Sequence, residues 1–104
     1  MKPVASKIEI AERLKEASGR MLPLGVSRLS LFGSWVRDAG HAASDVDLLV
    51  EFLPGEKTFA RYVELAEFFE QLLGRPVDLV TTDSLSPHIG QEIRAEAVDV
   101  VRAA

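Results

Sequence analysis

The chain contains no cysteine. That excludes disulfides, thiolate metal sites and cysteine nucleophiles, and it fits a reducing compartment. Two histidines, His41 and His88, stand far apart in the sequence and do not form a zinc set. No apolar run reaches the length of a membrane span, and the first residues, MKPVASKIEIAERLKE, lack the apolar stretch of a signal peptide. A soluble, cytoplasmic protein with no membrane association is expected. Positive charge is also in short supply: 12 Lys and Arg face 16 Asp and Glu, for a net charge of −4. Sequence-independent nucleic-acid binders carry a basic face, so no direct nucleic-acid grip is expected. The acidic balance is compatible with a basic protein partner. There is no internal repeat and no low-complexity segment. What remains is 104 residues at 47% hydrophobic content, which predicts one domain, residues 1–104, around one core.

Ser6 and Glu9 form a capping box, and Ile10, Ala11, Leu14 and Ala17 follow at helical spacing, with Gly19 and Pro23 closing the helix. Val26 to Phe32 reads as a strand running into Gly33. Ser34 to Arg37 reads as the start of a short helix, and Asp38 to Ser44 as a loop. Asp45 to Phe52 reads as a strand with two distinct faces, Val46, Leu48, Val50 and Phe52 against Asp45, Asp47, Leu49 and Glu51. Thr58 can cap a helix to Leu73, stopped by Gly74. Its apolar stripe, widened by Tyr62, Leu65, Phe68 and Leu72, predicts deep burial or a second packing partner. Val77 to Val80 is a short strand, Leu85 to Ala97 a helix carrying Ile89, Ile93 and Ala97 on one face, and Val98 to Val101 a last edge strand. The predicted order alternates helix and strand throughout, αβαβαβαβ.

The chemistry concentrates in one stretch. Gly33-Ser34 is followed, after ten residues, by Asp45-Val46-Asp47 at the start of the apolar run Leu48-Leu49-Val50. Strand side chains alternate, so Asp45 and Asp47 share a face. Two carboxylates so placed repel unless a cation lies between them, and a divalent metal is the simplest one. Asp78, on the next strand, can join the same face. The small Gly33-Ser34 turn lets backbone N–H groups approach phosphate oxygens. Taken alone, each half is an ordinary feature, a strand-to-helix turn or a solvated aspartate. Together they read as phosphoryl or nucleotidyl transfer.

This arrangement resembles the Gly-Ser and Asp-x-Asp signature of the DNA polymerase beta-like nucleotidyltransferase superfamily. Over about residues 26–101 the chain is similar to its minimal nucleotidyltransferase (MNT) branch, whose members pair as antitoxins with HEPN toxins. The resemblance implies an α/β, two-layer fold with a small mixed sheet and helices packed on one face. It implies Asp45, Asp47 and Asp78 as catalytic and metal-binding residues holding Mg²⁺, two ions in all, with ATP as substrate. It implies Gly33, Ser34, Arg37 and Ser44 as nucleotide-binding residues, Arg37 either neutralising the triphosphate or bracing the loop. One departure stands out: Asp38 occupies a position where the family has glycine, and adds a negative charge beside the expected phosphate site. Trp35 can pack on the core or a partner, or stack on the base.

The larger members of the superfamily carry extra domains for their acceptors, and no residues remain here for one. The resemblance then implies a second protein, a HEPN-family RNase toxin, inactivated by contact and by AMP transfer to a tyrosine hydroxyl. Two other readings stay open: an antitoxin that acts by contact alone with a vestigial site, and a small-molecule nucleotidyltransferase whose acceptor site lies on a separate chain.

Overall fold

Two helices and a four-stranded sheet share one apolar layer. The computed structural model describes residues 2–41 and 44–102. Ala42 and Ala43, within the loop expected from Asp38 to Ser44, lie outside the described residues. Helix α1 spans Lys7–Glu16, with the Ser6 hydroxyl accepting the Glu9 N–H at 3.1 Å as the capping box requires. Two single 3₁₀ turns, Ser18–Arg20 and Leu22–Leu24, then lead into β1. Strands β1 (Val26–Phe32) and β2 (Val46–Phe52) are antiparallel. Helix α2 (Phe59–Leu73) crosses from β2 to β3 (Val77–Thr81), which runs parallel to β2. A parallel neighbour requires such a crossover, and the helix supplies it. Helix α3 (Pro87–Glu96) then leads to β4 (Val98–Arg102), antiparallel to β1 at the sheet edge. The sheet order is β3-β2-β1-β4, mixed as expected.

The alternation read in β2 is realised. Val46, Leu48 and Val50 are buried with Leu29, Leu31 and Leu79 against Ile10 and Leu14 of α1 and Leu65, Phe69 and Leu73 of α2. The wide stripe of α2 is therefore absorbed almost entirely by the sheet and α1. The exception is Phe59, which is 83% exposed at the head of the helix. Tyr62, partly buried, donates its hydroxyl to the Leu79 carbonyl at 2.6 Å. The C-terminal end of α2 is tied down by the N-terminal segment. Arg13 donates to the carbonyls of Leu72 (3.0 Å) and Lys2 (2.6 Å), and Val4 N–H to Leu73 O (2.9 Å). These bonds satisfy carbonyls that a helix end otherwise leaves orphaned.

Three expectations are corrected. First, no regular helix follows Gly33. Residues 34–38 make a single turn that closes when Asp38 adopts φ 58°, with Ala39 N–H bonding Ser34 O and Asp38 N–H bonding Trp35 O. This is the left-handed helix-ending motif in which glycine is usual and Asp is tolerated. The element order is thus αββαβαβ. Second, the helix expected from Leu85 to Ala97 is shorter, Pro87–Glu96, and the row that begins at Ile89 is not a core face. Ile89 is 54% exposed, no residue of α3 belongs to the core cluster, and the buried residue of α3 is Gly90, set against Leu85. Third, β2 begins at Val46, one residue after Asp45.

Candidate active site

The sheet face opposite the core carries the motif. In the antiparallel ladder Phe32 pairs with Asp47 and Ser30 with Leu49. In the parallel ladder Asp47 pairs directly with Asp78. Neighbouring strands lie about 4.8 Å apart, so residues paired on the same face of parallel strands present their side chains side by side. Asp45 lies exposed immediately before β2, and the N–H of the next residue, Val46, bonds the Pro76 carbonyl at 3.0 Å. That bond holds the starts of β2 and β3 together. Carboxylates 31 residues apart along the chain, Asp47 and Asp78, are thereby adjacent across the ladder.

The electrostatics record that closeness. The Asp47 carboxyl is pushed up from 3.8 to about 6, first by burial, then by the charges of Asp78 and Asp45. Arg37 pulls the other way, and Glu96 adds to the rise. A carboxylate that its neighbours make costly to ionise is a common feature of functional sites. Among the described residues no three acidic or histidine side chains stand close enough to form a ready-made metal cage. The donor set nonetheless fits a hard divalent cation: it is all oxygen, and it carries surplus negative charge that a cation would neutralise.

Gly33 sits directly beside this group. Its φ is +81°, and a Cβ built there would lie 2.0 Å from Asp47 Oδ2. Only glycine fits, because the Asp47 carboxylate fills the space a side chain would take. The Gly33 N–H is already engaged, donating at 2.8 Å to Oε1 of Glu96, the last residue of α3. The same Oε1 forms an ion pair with Arg37 Nη1. Arg37 is thereby tied to the end of α3. Among the described residues no protein acceptor takes the Ser34 N–H or hydroxyl. Among the described residues the unbonded backbone and hydroxyl donors at the start of the turn are the N–H and hydroxyl of Ser34 and the N–H of Trp35. Ser44, directly before Asp45, accepts the His41 N–H on its hydroxyl at 3.1 Å and donates its own N–H to His41 O at 2.8 Å.

The remaining motif residues are accounted for. Asp38 is 74% exposed and pairs with Lys7 at 3.2 Å, so its charge is directed to α1. Trp35 is 5% exposed and belongs to the core cluster. Gly40 presses on its ring and the Arg75 guanidinium lies 5.2 Å from the ring centroid. Trp35 is thus a packing residue and not a base-stacking one. A cavity of about 420 Å³ lined by Lys57, Phe59, Tyr62, Leu79 and Thr81 shares no residue with the motif. Cavity size and chemistry disagree here, and the carboxylates define the site. Glu96 is the residue that sequence reasoning missed. It lies 63 positions from Gly33, at a helix end that gives no local sign of its partner.

Comparison with known proteins agrees with this geometry. The family model described as nucleotidyltransferase domain matches residues 8–100. A candidate protein adenylyltransferase of Methanocaldococcus jannaschii is 38% identical over 92 residues, covering 85% of this chain and 98% of the relative. The protein adenylyltransferase MntA of Thermococcus cleftensis is 41% identical over 78 residues, covering 73% of this chain and 76% of the relative. Among solved structures, a candidate minimal nucleotidyltransferase is similar at TM-score 0.69 and 34% identity, over 85% of this chain and 93% of that one. A toxin–antitoxin complex with AMP-PNP gives TM-score 0.73 at 22% identity, over 89% and 73% of the two chains. The MNT antitoxin complex with a tri-AMPylated Shewanella oneidensis HEPN toxin gives 0.58 at 20%, over 86% and 72%. The last two likenesses bear on the fold alone. With its Gly-Ser turn set beside paired strand carboxylates, the chain belongs to the nucleotidyltransferase domain family, among the minimal nucleotidyltransferases that include MntA.

Proposed function

We propose that this nucleotidyltransferase moves AMP from ATP to a hydroxyl, that of a tyrosine, on a HEPN-family RNase toxin and so acts as its antitoxin. The observation that carries the reading is the direct pairing of Asp47 with Asp78, beside the Gly33 turn that the Asp47 carboxylate closes. It supports a donor site for a nucleoside triphosphate. The acceptor is inferred from the relatives, named as protein adenylyltransferases, and from the AMPylated toxin bound to the structural relative.

Asp45, Asp47 and Asp78 would hold Mg²⁺, which supplies charge neutralisation for the carboxylates and the triphosphate together. Ser34 donates its N–H and hydroxyl to phosphate oxygens. The acceptor oxygen attacks the α-phosphorus in line, the bond to the bridging oxygen breaks, and pyrophosphate leaves. Asp78, exposed at the start of β3, takes the acceptor's proton. Asp38, paired with Lys7, does not burden the site, which favours an active enzyme over a contact-only antitoxin. The test is intact-mass measurement of the genomically neighbouring protein after co-expression. Added adenylyl units are expected, and they should vanish with Asp47→Asn while the two proteins still associate. A partner whose mass never changes with active protein, ATP and Mg²⁺ would overturn the protein-adenylyltransferase reading and leave the contact-only and small-molecule readings.

A further inference from the structure

Glu96 joins the last helix to the phosphate turn through one atom. Its Oε1 accepts the Gly33 N–H at 2.8 Å and pairs with Arg37 Nη1. We propose that Glu96 is a positioning residue for nucleotide binding, holding Gly33 and Arg37 on one carboxylate oxygen so that the Ser34 donors are presented to the triphosphate. The inference rests on the nucleotidyl-transfer reading and adds to it a residue outside the Gly-Ser and Asp-x-Asp motifs.

Three observations carry it. Gly33 has a single amide hydrogen and Glu96 takes it, while among the described residues nothing accepts the N–H or hydroxyl of Ser34. The turn thus divides its donors: the Gly33 N–H serves the brace, and the Ser34 donors, with the neighbouring Trp35 N–H, are left for a ligand. Gly33 is also fixed from the other side, since the Asp47 carboxylate occupies the space of a side chain. The brace therefore sets the distance between the turn and the acidic strand residues. Finally, the Arg37 side chain is 60% exposed while Glu96 is only 27% exposed, so the more buried carboxylate anchors a long, mobile cation. Fixing such a side chain in advance removes an entropic cost from binding. A carboxylate on these donors could instead act as a stand-in for phosphate, competing with it. The free Ser34 donors argue for bracing, and the two roles predict opposite signs.

The test is calorimetric titration of the full chain with Mg²⁺ and AMP-PNP, alongside the amide spectrum of Gly33. Glu96→Ala should weaken binding about tenfold or more, the scale of one charge-assisted hydrogen bond. Glu96→Gln keeps an acceptor for Gly33 and should recover part of that loss. The effect of Glu96→Ala should shrink in an Arg37→Ala background, which a merely structural role would not produce. The Gly33 amide resonance should move upfield in Glu96→Ala. If Glu96→Ala does not fold, Glu96→Gln decides: a Gly33 amide that moves upfield while affinity stays unchanged overturns the proposal. Tighter binding by either variant overturns it too, marking Glu96 as a competitor. Wild-type protein that binds no nucleotide sinks the functional reading itself, whereas wild-type binding with indifferent variants sinks only the role of Glu96.

Discussion

Removing the charge of Asp47 should make the protein more stable and less active at once. The perturbation is Asp47→Asn, which keeps the side chain's size. In the folded protein the carboxyl titrates near 6, against 3.8 for an ordinary aspartate, because burial and the charges of Asp78 and Asp45 disfavour its ionised form. Between those two values the folded state holds a proton that the unfolded chain has released. Stability therefore falls as pH rises from 3.8 through about 6, and the cost of the charge is fully present above that. At about 1.4 kcal/mol per pH unit the whole difference corresponds to about 3 kcal/mol. Solvent screening at this partly exposed site reduces the usable part to about 1–2 kcal/mol. For a domain of this size that is roughly 5–10 °C in melting temperature. The assay is thermal unfolding followed by circular dichroism, with EDTA present, at pH 8 and at pH 4. Asp47→Asn should melt higher than wild type at pH 8, and the two should converge at pH 4. A variant that melts at or below wild type at pH 8 would refute the view that Asp47 is repelled by its neighbours.

Three further outcomes follow from the same geometry. Mg²⁺ with ATP should raise the wild-type melting temperature, by about 2.7 kcal/mol of stabilisation at a hundredfold excess over Kd, and Asp45→Asn/Asp47→Asn should lose most of that rise; an undiminished rise would remove these residues from the metal site. Gly33→Val puts a side chain where the Asp47 carboxylate lies and forces φ near +81° on a β-branched residue, so nucleotide binding by calorimetry should disappear, with or without loss of the fold; normal binding would show that the turn does not meet the phosphates. Arg13→Ala removes donors to Leu72 O and Lys2 O and should cost about 1–3 kcal/mol in urea denaturation, with no change in nucleotide affinity per folded molecule.

Local rules carried much of the reading. The bounds of β1 and α2 were legible because Thr58 and Gly74 are unambiguous caps and Gly33 ends an apolar run. The shared face of Asp47 and Asp78 was legible from a period of two, since a strand allows no other alternation. What stayed hidden depended on tertiary distance or on a single dihedral. Asp38 in the left-handed region shortens the expected helix to one turn, and its φ has no marker in a sequence where glycine would have been the signal. Ile89 has helical spacing but no apolar surface to meet, because α3 lies off the core. Glu96 looks like any solvated residue until the sheet closes and carries it to Gly33. Arg37 could be placed near the turn from its spacing, but its brace could not be named without Glu96.

Trp35 is the sole tryptophan, two residues beyond Gly33 and 5% exposed. Among the described residues its indole N–H meets no acceptor, and its ring is bounded by Gly40 and by the Arg75 guanidinium. The protein thus contains an optical probe of its own working loop. Emission from a buried indole is shifted to the blue, and it responds to any change in the groups that bound the ring. Because the fluorophore is built into the turn, stopped-flow mixing with nucleotide reports on that turn without a label, and the signal comes from one tryptophan only. The same property makes Trp35 a poor position for mutagenesis: the substitution that would silence the probe also opens the core beneath it.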